Sequence, residues 1–339
     1  MGLKMDEIKV RELLPSEYTE WDLLVEKAQP GTLFHTSDWL EICRDVLSKD
    51  LKIYGCFRNE ELVGGCPLFI KNIKGILKMA NSTCNMTSYS GPLIKESASS
   101  KASKRAQETH EILNPLREFL CQQGFDSIHL TFAPGFEDIR PFTWNGWTSA
   151  VRYTHYLNLK EKIDDNLSGE IRTDLKTATE AGLKARAWTD PETYYRLLSL
   201  AYEKQNLKPP LPRGFFERVF KLIQEKDIGY MFVSETPEGE AVAAHLNLYG
   251  KKSAVIWTST LNPDFSRSGP YALLYYNEFL DLKSRDFEYM NVMAANVPTF
   301  MDFIMGFSPE LIPYYSVTLE SKKYSIAKTL YKTIHKETY

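Results

Sequence analysis

At 339 residues, 43% of them apolar and 13% aromatic, the chain is long enough for two domains and too rich in core-forming side chains to be disordered. Its 41 Lys and Arg against 44 Asp and Glu give a formal charge of −3, so no global attraction to DNA or to an anionic surface is expected, and any anion site is local. The five cysteines, at positions 43, 56, 66, 84 and 121, form no CxxC pair and have no paired histidines to complete a metal site, so we expect reduced thiols, no bound metal and a cytoplasmic setting.

The opening MGLKMDEIKV lacks the apolar run of a leader peptide, and no stretch approaches the ~18 apolar residues of a transmembrane span. Strand-like IKVREL (8–13) leads to a helix over 16–28. A second helix follows Thr36-Ser37, whose hydroxyls can cap the free amides ahead of DWLEICRDVL. LKIYGCFR (51–58) and ELVGGCPLFI (61–70) flank Asn59-Glu60 as a hairpin, further short strands run to GPLI (91–94), a long helix covers 104–123, and FDSIHLTF (125–132) is a strand run.

VRYTHYLNL (151–159) reads as a strand, 160–181 as helical, LKARAWT (183–189) as a strand, and 191–206 and 213–226 as helices. Then the first half's order returns: GYMFVSE (229–235), AVAAHLNLY (241–249) and SAVIWTST (253–260) form a meander, a helix covers 269–284, and FEYMNVM (287–293) is a strand. EELVGGCPLF resembles GEAVAAHLNLY, and QGFDSIHL resembles RDFEYMNV in pattern and in its place after a helix, which implies two copies of one meander–helix–strand unit. The expected organisation is therefore α/β with mixed sheets, a first domain over 1–150, a second over 151–320, and a last helix over 322–337, within a 321–339 tail that folds back on the first domain.

Several residues invite a chemical reading. In FSRSGPYALLYYNEF (265–279), Ser266, Arg267, Ser268 and Gly269 lead into a helix with Pro270 at its first position; the turn reads either as a plain helix start or as a cradle of bare amides for a phosphate. Arg172 and Lys176 lie four apart on one helix face, either a solvated face or a basic ledge for a phosphorylated acceptor. Strand alternation places Ala243, His245, Asn247 and Tyr249 on one face, so His245 is either a base facing a cleft or a hydrogen-bonded structural residue. Tyr314 and Tyr315 alternate sides, and Tyr315 is a candidate proton donor to a leaving group.

The meander, turn, helix and strand of the second half resemble the layout of GNAT acyltransferases, although Arg267 stands only two residues before Gly269, closer than the usual pyrophosphate-loop spacing. FHTSDWLEI (34–42), SYSGPLI (88–94), YTHYLNL (153–159), IRTDLKTATEAGL (171–183), NVMAANVPTFMDFIMGF (291–307) and PYYSV (313–317) together resemble the FemAB-like branch, with two GNAT domains in tandem over nearly the whole chain. The resemblance implies transfer of an acyl or aminoacyl group from acyl-CoA or aminoacyl-tRNA, with no tightly bound cofactor, to an amine such as that of a nucleotide-sugar or lipid-linked envelope precursor, with tRNA as a candidate partner. Where many members carry a Lys that stabilises negative charge on the attacked carbonyl, this chain has Ile304, so either Asn296 or backbone amides take the role, or the donor differs from aminoacyl-tRNA, or the chain is a catalytically silent binding module.

Overall fold

The computed structural model describes residues 7–28, 30–293 and 295–335, so the amino-terminal segment and positions 336–337 of the expected last helix lie outside the described residues. Two compact units result: unit 1 comprises residues 1–152 and 314–339, and unit 2 comprises 153–313.

Unit 1 starts with β1 (Lys9–Glu12), α1 (Tyr18–Lys27) and α2 (Ser37–Val46). The Thr36 hydroxyl accepts from the Trp39 amide, as the sequence suggests for a cap, and Trp39 is wholly buried with its indole N–H donating to Thr87 Oγ1 at 3.0 Å. The meander β2 (Asp50–Arg58), β3 (Glu61–Ile73) and β4 (Leu77–Asn81) follows. Its first turn has positive φ at both Asn59 (47°) and Glu60 (66°), the twist that matches a two-residue hairpin. After the short β5 (Leu93–Ile94), the helix α3 (Ala102–Gln122) buries Ile112, Leu113, Leu116 and Leu120, a helical stripe lying on Cys66, Leu68, Ile128 and Leu130 of the sheet. β6 (Ser127–Thr131) then pairs parallel with β4, and α4 (Arg140–Thr143) follows.

β7 (Thr148–Asn158) begins in unit 1 and continues into unit 2 from Tyr153, followed by α5 (Ile163–Asn166), α6 (Gly169–Glu180), β8 (Lys184–Trp188), α7 (Pro191–Glu203) and α8 (Arg213–Lys226). A second meander follows, β9 (Gly229–Glu235), β10 (Ala241–Tyr249) and β11 (Ser253–Leu261), then α9 (Pro270–Ser284), β12 (Tyr289–Asn291) and α10 (Pro298–Met305). β13 (Glu310–Glu320) and α11 (Lys322–His335) return the chain to unit 1, where β13 pairs antiparallel with β6.

The duplication is visible in the strand order. In unit 1 the order is β1-β2-β3-β4-β6-β13, and in unit 2 it is β8-β9-β10-β11-β12-β7, with the parallel step at β4/β6 and at β11/β12. Each parallel step is crossed by a helix, α3 or α9, as a parallel connection requires. β10 is buried from Ala241 to Leu248 on both faces, because Tyr194 of α7 and the Phe215/Phe216 pair of α8 meet Thr258 and Trp257 of β11, and α9 covers the meander with Leu274, Tyr275 and Phe279.

Candidate functional site

The parallel step of unit 2 is where the sheet opens. β11 and β12 are in register only at Ser253–Tyr289, Ala254–Met290 and Val255–Asn291, while β11 continues to Leu261 paired to β10 on its other side. The chain after β12 stays with β7: the Val292 amide donates to the His155 carbonyl at 2.9 Å, and Asn291 Oδ1 accepts from Thr154 Oγ1 at 2.6 Å and from the Met293 amide at 3.0 Å. Each strand therefore follows a different neighbour, and the β12-side edge of β11 from Ile256 to Leu261 has no strand partner among the described residues.

At the end of that edge lies the turn Ser266–Gly269. Two amides expected to be bare are occupied: Ser266 N–H donates to the Pro263 carbonyl at 3.2 Å and Ser268 N–H to the Phe265 carbonyl at 3.0 Å, and the Ser268 hydroxyl also donates to Phe265. Gly269 caps α9 in the left-handed region at φ 69°, and a Cβ there would stand 2.2 Å from the Asp174 carbonyl oxygen. The room saved by this glycine is filled by the α6 backbone, so its identity follows from helix–helix packing rather than from space for a phosphate. Arg267 is exposed at the turn, and Tyr271 and Ala272 supply the first-turn amides of α9, Pro270 having none.

Beneath α9 lies a polar group that sequence reading found only in part. His245 is fully buried rather than open to a cleft, since both faces of β10 are covered by helices. Its Nδ1 lies 2.6 Å from Glu278 Oε2, and Asn247 Nδ2 donates to Glu278 Oε1 at 2.7 Å; neither His245 nor Glu278 has measurable side-chain exposure. With Nδ1 directed at a carboxylate, Nε2 is the second imidazole nitrogen, and it is buried without a hydrogen-bond partner among the described residues. The rings of Tyr271 and Tyr275 pack against the imidazole at centroid distances of 5.6 and 4.7 Å. Burial pushes the Tyr271 phenol up to about 12, although its hydrogen bond to Ser259 opposes the shift, and burial drives Tyr275 higher still. Glu278 carried one sequence signal: it interrupts the buried stripe Leu274, Tyr275, Phe279, Leu282 of a helix, where a carboxylate needs a partner.

The remaining candidates are dispersed. Asn296 uses both ends of its carboxamide on one residue, accepting from the Tyr153 amide at 3.2 Å and donating to the Tyr153 carbonyl at 2.7 Å, so it extends β7 like a strand partner. Arg172 donates to the Leu167 and Asp164 carbonyls and thereby ties α6 to α5, whereas Lys176 is exposed near Glu180 at 3.8 Å. Tyr315 belongs to unit 1, where it packs on the core and its carbonyl accepts from Phe132. Ile304 is buried in unit 2 with Ile171, Tyr275 and Phe307, an apolar setting that suits it and would be costly for a lysine. Unit 1 has a groove of about 1060 Å³ between α3 and the loops 95–99 and 134–140. Arg58, Lys95 and Arg140 on its walls are already paired, with Glu111, Glu61 and Asp138.

Residues 166–298 match the acetyltransferase (GNAT) domain family. Over the chain as a whole, the crystal structure of FemX superposes with a TM-score of 0.68 at 11% identity, covering 91% of this chain and 96% of that one. The structure of L-PGS from Bacillus licheniformis gives 0.60 at 13% identity, with coverages of 95% and 97%. A tandem GNAT protein from the clavulanic acid biosynthesis pathway gives 0.57 at 12% identity, with coverages of 93% and 98%. At such identities the likeness to these solved structures is one of fold. No curated protein sequence matches the chain.

Proposed function

We propose that the chain is a FemAB-like tandem-GNAT acyltransferase in which unit 2 transfers an acyl or aminoacyl group from acyl-CoA or aminoacyl-tRNA to the amine of an envelope precursor, a reading supported by the GNAT-domain match over 166–298 and by the fold. One observation carries the reading: β11 runs on to Leu261 after its pairing with β12 has ended at Val255, next to the start of α9. An extended arm with amide groups adds to such an edge as a further strand. Its anionic end then meets the first-turn amides of Tyr271 and Ala272, with the positive helix end and Arg267 beside them. Lys176 stays on the acceptor side as an exposed cation, while Arg172 acts as a strut for α6.

In this reading the amine attacks the donor's carbonyl carbon, the C–N bond forms as the bond to sulfur or to the ribose oxygen breaks, and the amine's proton leaves to water or to the departing group. His245 and Glu278 do not touch the substrate. They hold the amino-terminal half of α9 on β10 through Tyr271 and Tyr275, fixing the helix end that faces the donor. Isothermal titration with acetyl-CoA, longer acyl-CoAs and charged tRNA tests the proposal, with Arg267→Ala weakening whichever donor binds. Absence of binding by all of them removes the assignment.

A second reading, a silent binding module, is favoured by one feature: Ile304 lies in the core where a charge-stabilising Lys stands in many members of the family the chain resembles. Donor binding without product, followed by mass spectrometry over several hours with candidate amines, decides for this reading.

A further inference from the structure

The last helix does not share the charge balance of the chain. α11 carries Lys322, Lys323, Lys328 and Lys332 and no Asp or Glu, in a protein whose formal charge is −3. It is anchored at its start: Ser321 caps it by accepting from the Tyr324 amide at 3.1 Å, Ser321 itself is held by Asp126, and Lys323 donates to the Ile76 carbonyl. Beyond that anchor, Ile326 and Leu330, one helical turn apart, are 63% and 57% exposed. The β3–β4 turn to which Lys323 is bonded adds Ile76 at 62% exposure, with Lys74 also exposed beside it. Lys323 and Lys328 are offset by Asp126 and Glu320, but Lys74 and Lys322 have no carboxylate at ion-pair distance among the described residues.

We propose that α11 and the β3–β4 turn form a docking surface for the anionic face of a lipid bilayer, with Ile326, Leu330 and Ile76 entering the headgroup boundary and Lys74 and Lys322 meeting lipid phosphates. An amphipathic helix with a basic flank and exposed branched aliphatic side chains is the arrangement that binds at such an interface. A second copy of the chain fits less well, because a twofold contact through α11 sets lysines against lysines. Nucleic acid matches the charge but leaves the aliphatic side chains in water. This surface belongs to unit 1, whereas the donor site is proposed for unit 2.

The test is flotation of the full chain with phosphatidylcholine vesicles, with and without about 30 mol% phosphatidylglycerol. Binding is expected only to the anionic vesicles, and it weakens at about 0.5 M NaCl. Ile326→Glu/Leu330→Glu lowers affinity at least about tenfold, and Lys74→Glu/Lys322→Glu lowers it severalfold. All four side chains are exposed, so unchanged thermal unfolding of the variants confirms that folding is not the cause. Failure to float with anionic vesicles, or binding that Ile326→Glu/Leu330→Glu leaves unchanged, overturns the proposal. So does a solution dimer that this double variant dissociates, or tRNA binding lost only in the lysine variant.

Discussion

The two units share strand order and the helix-crossed parallel step, yet they fill the same place with opposite chemistry. Matching EELVGGCPLF to GEAVAAHLNLY sets Cys66 against His245 and Leu68 against Asn247, and matching QGFDSIHL to RDFEYMNV sets Leu116 against Glu278. In unit 1 these residues form part of an apolar core between α3 and the sheet. In unit 2 they form a hydrogen-bonded trio between α9 and β10. The crossovers differ too: unit 1 reaches its helix through β5 and a serine-rich loop, while unit 2 turns directly from β11 into α9 through Gly269. A fold that tolerates an apolar version does not need the polar one for its architecture, so the trio points to a task specific to unit 2.

The largest effect expected from breaking this contrast is at Glu278. Glu278→Ala leaves His245 and Asn247 buried without their shared acceptor and lowers stability by about 3–5 kcal/mol in urea unfolding. Replacing His245, Asn247 and Glu278 together by Leu gives unit 2 the apolar character of unit 1. Stability then returns to within about 1–4 kcal/mol of the native chain or exceeds it, while donor affinity falls. Full donor affinity in the triple variant would show the trio to be ornamental.

The two units also bury histidines differently, which yields a pH signature. His35 in unit 1 is hydrogen-bonded to no carboxylate among the described residues; its Nε2–H donates to the Gly91 carbonyl at 3.1 Å and its Nδ1 pairs with the Thr32 hydroxyl at 2.8 Å. Burial pushes this imidazole down to about 4 from 6.5. The unfolded chain thus binds the proton first, so stability is complete above pH ~6.5 and falls by about 3 kcal/mol as the pH drops toward 4. His35→Gln flattens the urea midpoint over that interval; an unaltered slope contradicts the assignment.

A smaller loss, about 2 kcal/mol or more, follows from Gly269→Ala, which combines a left-handed backbone with a clash against Asp174. Differential scanning calorimetry reads it. Smallest in stability is Arg267→Ala, within about 0.5 kcal/mol, because the side chain is exposed; its effect belongs to donor affinity, read by titration.

The repeat was readable because each meander buries both faces of its middle strand, which preserves apolar spacing even where individual residues change, as from Gly64-Gly65 to Ala243-Ala244. The second meander and α9 were legible almost to the residue for the same reason. α10 and β13 were not assigned as elements. The first has no side-chain cap at Val297, and the second contains Pro313, which argues locally against a strand. At the candidate site, alternation correctly placed His245 and Asn247 on one face, but Glu278 is remote from His245 in the chain and joins it only when α9 folds over β10. The occupied amides of Ser266 and Ser268 depend on the tight turn at Pro263–Phe265, whose carbonyls no residue pattern of the loop revealed.

Hydrogen–deuterium exchange with saturating donor tests the central claim most directly. The account predicts slower exchange in 256–261 and at Tyr271–Ala272 of unit 2, with no change in 77–81 of β4, its counterpart in unit 1. A bound donor that protects β4 and leaves 256–261 as in the free protein would contradict it.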